Sequence, residues 1–291
     1  MNHCAGITAC SDPLRAERMP QINELCNLLE SMGVRTVRSP YIFSDDGALP
    51  FSAEQRACAL MNFYADPSFD MICDVSGGDL ANEIIDRLDY DLIAENPKKF
   101  WGYSDLTCIL NAIYAKCGLP GILYRVRNLT GPDRMEQQKR FAASVLNGDL
   151  EGGISDFDYT FLQGDRAEGI VIGGNIRCFL KLSGTEYMPD LSGKILVLEG
   201  YSGGVYQMVN YVSHLRQLGA FEKVSGILLG TYTQMEKEGQ EPQMAEIILR
   251  NVPSALPVLC TRRIGHGADS LAIQIGEHRV FEDKQPFPNM Q

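Results

Sequence analysis

The sequence predicts an α/β protein: an N-terminal domain over residues 1–150, with a parallel sheet flanked by helices, and a smaller, strand-rich C-terminal domain over residues 160–291. In the first half, apolar runs alternate with amphipathic stretches through short glycine turns, and such βαβ units are right-handed and build parallel sheets. In the second half strand signals crowd together, with one long amphipathic helix among them. The length of 291 residues is about twice that of a usual single domain. Two packed domains and one large α/β unit both fit it, and the change of pattern favours two.

The elements follow in order. An apolar strand over Cys4–Cys10 meets a turn at Ser11-Asp12-Pro13. The next helix carries Ile22, Leu25, Leu28 and Leu29 on one face, and Gly33 ends it. Val34–Val37 is a strand, and a Gly/Asp-rich loop leads to a helix over Ser52–Phe63. Asp70–Val75 is a buried strand closing on a Gly-Gly turn, and Leu106–Lys116 is a helix. The stretch from Arg127 to Asp165 mixes charges, glycines and a short helical segment at Met135–Leu146, as a connector between domains would. Beyond it lie strands over Gly169–Gly173, Lys194–Leu198, Val224–Leu229, Val258–Thr261 and Leu271–Ile275, interrupted by a helix over Val205–Leu218. There is no internal repeat and no low-complexity run. Sheets of this kind bind ligands at the carboxyl ends of their strands, where Gly77-Gly78 and Tyr103-Ser104-Asp105 both fall.

The charge balance narrows the partners. With 37 acidic against 26 basic side chains the net charge is −11, which argues against nucleic acid and for a small ligand. The nine cysteines are scattered, with no C-x-x-C pair; this fits reduced thiols packed as small hydrophobes rather than a zinc site or a disulfide scaffold. No basic segment followed by an apolar stretch opens the chain, and no apolar run reaches the ~18 residues of a membrane span, so the expected location is the cytoplasm and no membrane partner is expected.

Four segments can carry chemistry. In Tyr103-Ser104-Asp105-Leu106 an apolar segment meets a helix; a serine on such a turn projects its hydroxyl outward beside unpaired N–H groups, although this segment alone reads more readily as Ser104 or Asp105 capping the helix. Gly77-Gly78 ends a buried strand, where backbone N–H groups approach a substrate closely or merely turn the chain. Ile195-Leu196-Val197-Leu198 closes on Glu199, an acid able to orient an imidazole or to face solvent. Of the four histidines, His3 lies at the terminus, His214 within a helix and His278 in an expected turn after Gly276-Glu277; His266, between Gly265 and Gly267, is the one positioned for proton transfer.

The segments Leu88-Asp89-Tyr90-Asp91, Gly102-Tyr103-Ser104-Asp105-Leu106-Thr107, Gly173-Gly174-Asn175, Lys194 to Glu199 and Gly265-His266-Gly267 resemble, in order and spacing, the muramoyl-tetrapeptide LD-carboxypeptidases and microcin C immunity peptidases. The resemblance runs from about Thr8 to about Gly276. It implies Ser104 as nucleophile, Glu199 and His266 as its partners, and the backbone N–H groups of Gly78 and Asp105 as oxyanion donors, with no metal or cofactor. Gly77, Asp79, Tyr103 and Asn175 stand as candidate substrate contacts. It further implies an α/β N-terminal domain, a smaller C-terminal domain rich in strands, a triad assembled across their interface, and a homodimer.

The implied substrate is a small peptide or a peptidyl-nucleotide. One branch of the family releases terminal D-alanine from muropeptide tetrapeptides; the other cleaves aminoacyl- or peptidyl-nucleotide toxins; a non-catalytic binding protein of the same fold is a third reading. This chain departs from the family pattern at Asp79-Leu80-Ala81, where an acid beside the glycines is expected to alter charge preference, and at Gly200-Tyr201-Ser202-Gly203-Gly204, a mobile lid or a reshaped pocket wall; neutral drift in loop sequence accounts for both departures as readily.

Overall fold

The computed structural model describes residues 3–45, 50–146, 150 and 152–283. Residues 46–49 of the Gly/Asp-rich loop, and 147–149 and 151 of the expected connector, lie outside the described residues. Along the chain run strands β1 (His3–Thr8), β2 (Val34–Arg38), β3 (Met71–Asp74), β4 (Lys99–Gly102), β5 (Gly121–Leu123), β6 (Thr160–Gln163), β7 (Arg166–Asn175), β8 (Lys194–Gly200), β9 (Gly226–Tyr232), β10 (Val258–Cys260), β11 (Ile273–Ile275) and β12 (His278–Glu282). The helices that place the site are α1 (Met19–Ser31), α2 (Ala53–Ala65), α3 (Tyr90–Glu95), α4 (Thr107–Cys117), α5 (Arg134–Leu146), α6 (Ile176–Leu180) and α7 (Val205–Gln217).

The first sheet has the order β11-β5-β4-β3-β1-β2. Its five N-terminal strands are parallel and β11 is antiparallel to β5. Alternate strand residues face opposite layers. Ala5, Ile7, Met71, Cys73 and Trp101 pack on Ile22, Leu25 and Leu29 of α1. Their neighbours Cys4, Ile72 and Phe100 pack on Leu60 and Phe63 of α2 and on Ile109 and Leu110 of α4. Both faces are therefore covered, and the strands read as continuous apolar runs rather than alternating ones. A capping box between Ser52 and Gln55 starts α2, and Gly118, at φ 68°, ends α4.

The second sheet has the order β12-β7-β8-β9-β10-β6, with a parallel centre and antiparallel edges at β12 and β6. One face sends Val171, Ile195, Val197 and Leu228 into the same core as α4. The other buries Ile172, Leu196, Leu198 and Ile227 against Phe179 of α6 and Met208, Val212 and Leu215 of α7. So α4 is wedged between the sheets. The side chain of Asn111 both donates to Gly173 O and accepts from Gly173 N, each at 2.9 Å, locking α4 to the end of β7.

Two edges differ from the sequence expectation. His278 opens β12 instead of sitting in a turn, and β6 lies inside the stretch expected as connector. Both are short edge strands with partly exposed side chains, so neither has the long apolar run that announces a buried strand. The strand expected at Leu271–Ile275 forms as Ile273–Ile275 and pairs in the first sheet, because the buried Leu271 and Ala272 ahead of it pack into the α1 core. Among the described residues no helix is long and apolar enough to cross a membrane. The nine cysteines are free thiols, six of them buried.

Candidate active site

Between β4 and α4 the chain makes a single 3-10 turn over Ser104–Leu106, and Ser104 holds φ 57°, the one positive φ at a non-glycine residue among those described. For an L-residue this left-handed conformation is strained, and strain of this kind concentrates where a side chain must be aimed. Ser104 does not cap the helix; neither the 3-10 turn nor α4 receives a side-chain cap. Its Oγ instead lies 3.2 Å from His266 Nε2.

His266 Nδ1 lies 2.8 Å from Glu199 Oε2. With the proton on Nδ1, His266 donates to Glu199 and presents the Nε2 lone pair to the Ser104 hydroxyl. Glu199 is the penultimate residue of β8 and fully buried, not a solvent-facing strand end. In the parallel ladder its partner is Asn175, the last residue of β7, whose Nδ2 donates to Glu199 Oε1 at 3.0 Å. The Tyr103 ring packs edge-on against the imidazole at 4.6 Å between centroids, and Tyr201 covers the imidazole at 4.7 Å. Burial, and then the negative charge of Glu199, hold the Tyr103 phenol well above its ordinary pKa.

The histidine loop is firmly held, by residues expected only as a connector. Asn128 Nδ2 donates to Gly267 O at 3.1 Å, and Gln137 Nε2 from α5 donates to Ser270 O at 3.1 Å. Thr231 N donates to Ile264 O at 2.8 Å from β9.

The glycine turn is shaped by two aspartates. Asp74 ends β3, is buried, and accepts from Cys10 N at 2.7 Å and from Ser76 N and Oγ at 2.7 and 2.6 Å. Asp12 accepts from the N–H groups of Asp79 and Leu80 at 2.9 and 3.2 Å. Gly78 sits at φ 128°, and a Cβ there would lie 2.2 Å from the Asp12 carboxylate; a Cβ on Gly77 would lie 3.7 Å from that of Ser104. Gly77 thus presents bare backbone beside the serine, while Gly78 packs on Asp12.

Asp105 is fully buried, and its carboxylate accepts from Ser11 Oγ at 2.7 Å, Ala81 N at 2.8 Å and Lys181 Nζ at 2.6 Å. That network ties the serine turn to the glycine turn and to the chain just past α6. Asp79 is exposed but does not stand as a free charge: it is ion-paired with Arg177 of α6, which also donates to Gly78 O at 2.8 Å.

These groups surround a cleft of about 410 Å³ that contains Gly77, Gly78, Ser104, Asn175, Tyr201 and His266. The Gly200–Gly204 segment supplies part of its wall through Tyr201 and is anchored by Gly203 N donating to Gln234 at 2.7 Å. Arg18, Arg125 and Arg127 also line it, and sequence reasoning passed over all three. The available signal was Arg125-Val126-Arg127, two cations around a buried valine just beyond a strand. Asp12, Asn128 and Gln137 carried no comparable signal, because they act through distant backbone groups. Among the described residues no group of three or more His, Cys, Asp or Glu side chains is arranged to hold a metal ion. Chemically, the arrangement offers a hydroxyl, an imidazole and a buried carboxylate in hydrogen-bonded series, in a cleft also lined by the glycine turn.

The LD-carboxypeptidase N-terminal domain model matches residues 5–124 and the C-terminal domain model residues 168–279. The chain is 28% identical to the murein tetrapeptide carboxypeptidase of Pseudomonas aeruginosa, over 79% of this chain and 78% of that protein. It is 26% identical to the microcin C7 self-immunity protein MccF of Escherichia coli, over 85% of this chain and 81% of that protein. A solved structure of MccF with aspartyl sulfamoyl adenosine superposes with a TM-score of 0.84 at 22% identity, covering 97% of this chain and 93% of that one, a likeness of fold.

Proposed function

Since the chain belongs to the LD-carboxypeptidase family, we propose that it is a serine hydrolase releasing terminal D-alanine from muropeptide tetrapeptides, with Ser104, His266 and Glu199 as its catalytic residues. The observation that carries the reading is the unbroken series Ser104 Oγ, His266 Nε2, His266 Nδ1, Glu199 Oε2, with separations of 3.2 and 2.8 Å. Geometry of this kind defines such triads more reliably than chain order.

The chemistry follows. His266 Nε2 takes the Ser104 proton as Oγ bonds to the scissile carbonyl carbon, and Glu199 stabilises the imidazolium. The carbonyl oxygen becomes an oxyanion, which the backbone N–H groups of Gly78 and Asp105 receive; each well-placed donor contributes about 3 kcal/mol. The C–N bond then breaks, and the departing amine takes the proton from His266. Water, deprotonated by the same nitrogen, adds to the acyl-serine, and the collapse returns the proton to Ser104 Oγ. Tyr103, packed on the imidazole, and Asn175, bonded to Glu199, keep the two groups in register.

A second reading keeps the chemistry and changes the substrate. Tyr201 is half-exposed at the cleft rim and offers a ring face on which a nucleobase can stack, as cleavage of an aminoacyl-nucleotide would use. The test is to incubate the purified chain with a muropeptide tetrapeptide and, separately, with an aminoacyl-sulfamoyl adenosine, and to follow product masses. Loss of D-alanine that disappears in Ser104→Ala supports the first reading, and cleavage of the nucleotide alone supports the second. If neither is cut and Ser104→Ala changes nothing with any ester or amide probe, the chain is a binding protein and both readings fall.

A further inference from the structure

Three guanidinium groups in the cleft have no ion-pair partner among the described residues. Four arginines line it, and one of them, Arg177, is matched by Asp79. The side chains of Arg18, Arg125 and Arg127 form no ion pair and no hydrogen bond among the described residues. They are close enough to repel one another: burial, then Arg125, then Arg18 push the Arg127 guanidinium down to about 10. Asp74 is the acid that acts on Arg127 in the opposite sense, and its oxygens are engaged by Cys10 and Ser76.

Arginine stays protonated in proteins, so three positive charges are held together in a partly shielded cleft. That arrangement costs free energy in the empty protein, and in a chain of net charge −11 it does not reflect a basic surface overall. The planar fork of a guanidinium matches a carboxylate with two parallel N–H···O bonds. A carboxypeptidase substrate has its free carboxylate one residue beyond the scissile carbonyl, within reach of any group sharing a cleft of this size with the nucleophile.

We infer that Arg18, Arg125 and Arg127 form a subsite for the free carboxylate of the substrate's terminal residue and so restrict the chain to cutting at a peptide end; this rests on the hydrolase reading of the same cleft. Arg125 and Arg127, which flank the buried Val126 and line the same cleft as Ser104, make the direct contacts. Arg18, exposed just ahead of α1, adds long-range attraction.

The test uses the full-length Ser104→Ala protein, which cannot turn substrate over, and isothermal titration with the tetrapeptide L-Ala-γ-D-Glu-L-Lys-D-Ala and with its C-terminal amide. The free acid should bind on the order of tenfold more tightly than the amide, as one charge-assisted bidentate pair provides. The gap should narrow as salt is raised. Arg125→Gln or Arg127→Gln should bring the two affinities together, and Arg18→Gln, at an exposed position that leaves folding intact, should reduce the gap in part. Equal binding of acid and amide, no binding of either, a gap that survives all three substitutions, or displacement by inorganic phosphate but not by the free acid would each overturn the inference. Failure of the hydrolase reading shows elsewhere, as absence of product masses from the unsubstituted protein.

Discussion

Asn175 donates to Glu199 Oε1 at 3.0 Å across the last rung of the β7–β8 ladder, while His266 engages the other oxygen of the same carboxylate. The amide is itself pinned: its Oδ1 accepts from Cys178 N at 3.3 Å, and Asn175 N donates to Thr107 Oγ1 at 3.0 Å. A hydrogen bond to a buried charge contributes about 1.5–3 kcal/mol. On the proposed chemistry, Asn175→Ala should lower kcat by about 10- to 100-fold with a smaller change in KM, because Glu199 loses the partner that orients it. Asn175→Asp should be worse, since it sets a second carboxylate against the first. Steady-state kinetics on both variants check this, and an Asp variant more active than the Ala variant would rule it out.

The left-handed backbone of Ser104 separates function from stability. On the proposed chemistry, Ser104→Ala and Ser104→Gly should both lose activity by several orders of magnitude, because the attacking oxygen is gone. Glycine, however, adopts φ 57° without the clash that an L-residue suffers there, a difference of about 1 kcal/mol. Urea unfolding should therefore find Ser104→Gly more stable than Ser104→Ala. The reverse order would mean that the turn holds no strain.

Much of this was legible in the sequence, for a physical reason: buried parallel strands and amphipathic helices write long, uniform patterns. The runs ending at Asp74 and Glu199 mark the strand ends that face the cleft, and the glycines around His266 mark its loop. Edge strands β6 and β12 escaped because they are short and only partly buried, without the long apolar run of a central strand. The capping alternative for Ser104 could not be discarded from sequence, since a serine before a helix looks the same whether its hydroxyl turns toward the helix or toward an imidazole 162 positions away. Asp12, Asn128 and Gln137 were invisible for a similar reason: each serves backbone groups far along the chain.

The paired glycines should respond differently to the same substitution. At Gly78 a Cβ meets the Asp12 carboxylate at 2.2 Å on a backbone of φ 128°, so Gly78→Ala must displace Asp12 and release the amides of Asp79 and Leu80. It should lose stability and, if Gly78 N–H is the oxyanion donor proposed above, on the order of 10²-fold or more in kcat. At Gly77 the nearest atom is Ser104 Cβ at 3.7 Å, an ordinary contact, so Gly77→Ala should fold normally and raise KM by crowding the place where substrate approaches the serine. Thermal melts and kinetics on the pair check this; equal destabilisation of both would show that the turn, not the cleft, sets the need for Gly77.

Asp74 gives the turn a pH dependence. It is fully enclosed at the end of β3, and burial raises its pKa although the hydrogen bonds from Ser76 and Cys10 oppose the rise. A carboxyl whose pKa is higher folded than unfolded binds its proton more tightly in the native state, so its contribution is full below the unfolded value of about 4 and is lost as pH rises through the folded one. Asp74→Asn cannot titrate and keeps an acceptor for Ser76 while losing the one for Cys10. The stability of the unsubstituted protein relative to Asp74→Asn should therefore decline as urea unfolding is repeated from pH 4 to pH 7, whatever the rest of the chain contributes, because groups common to both cancel. A difference that stays flat or grows over that range would mean that the three hydrogen bonds outweigh burial and that Asp74 is already ionised well below the window.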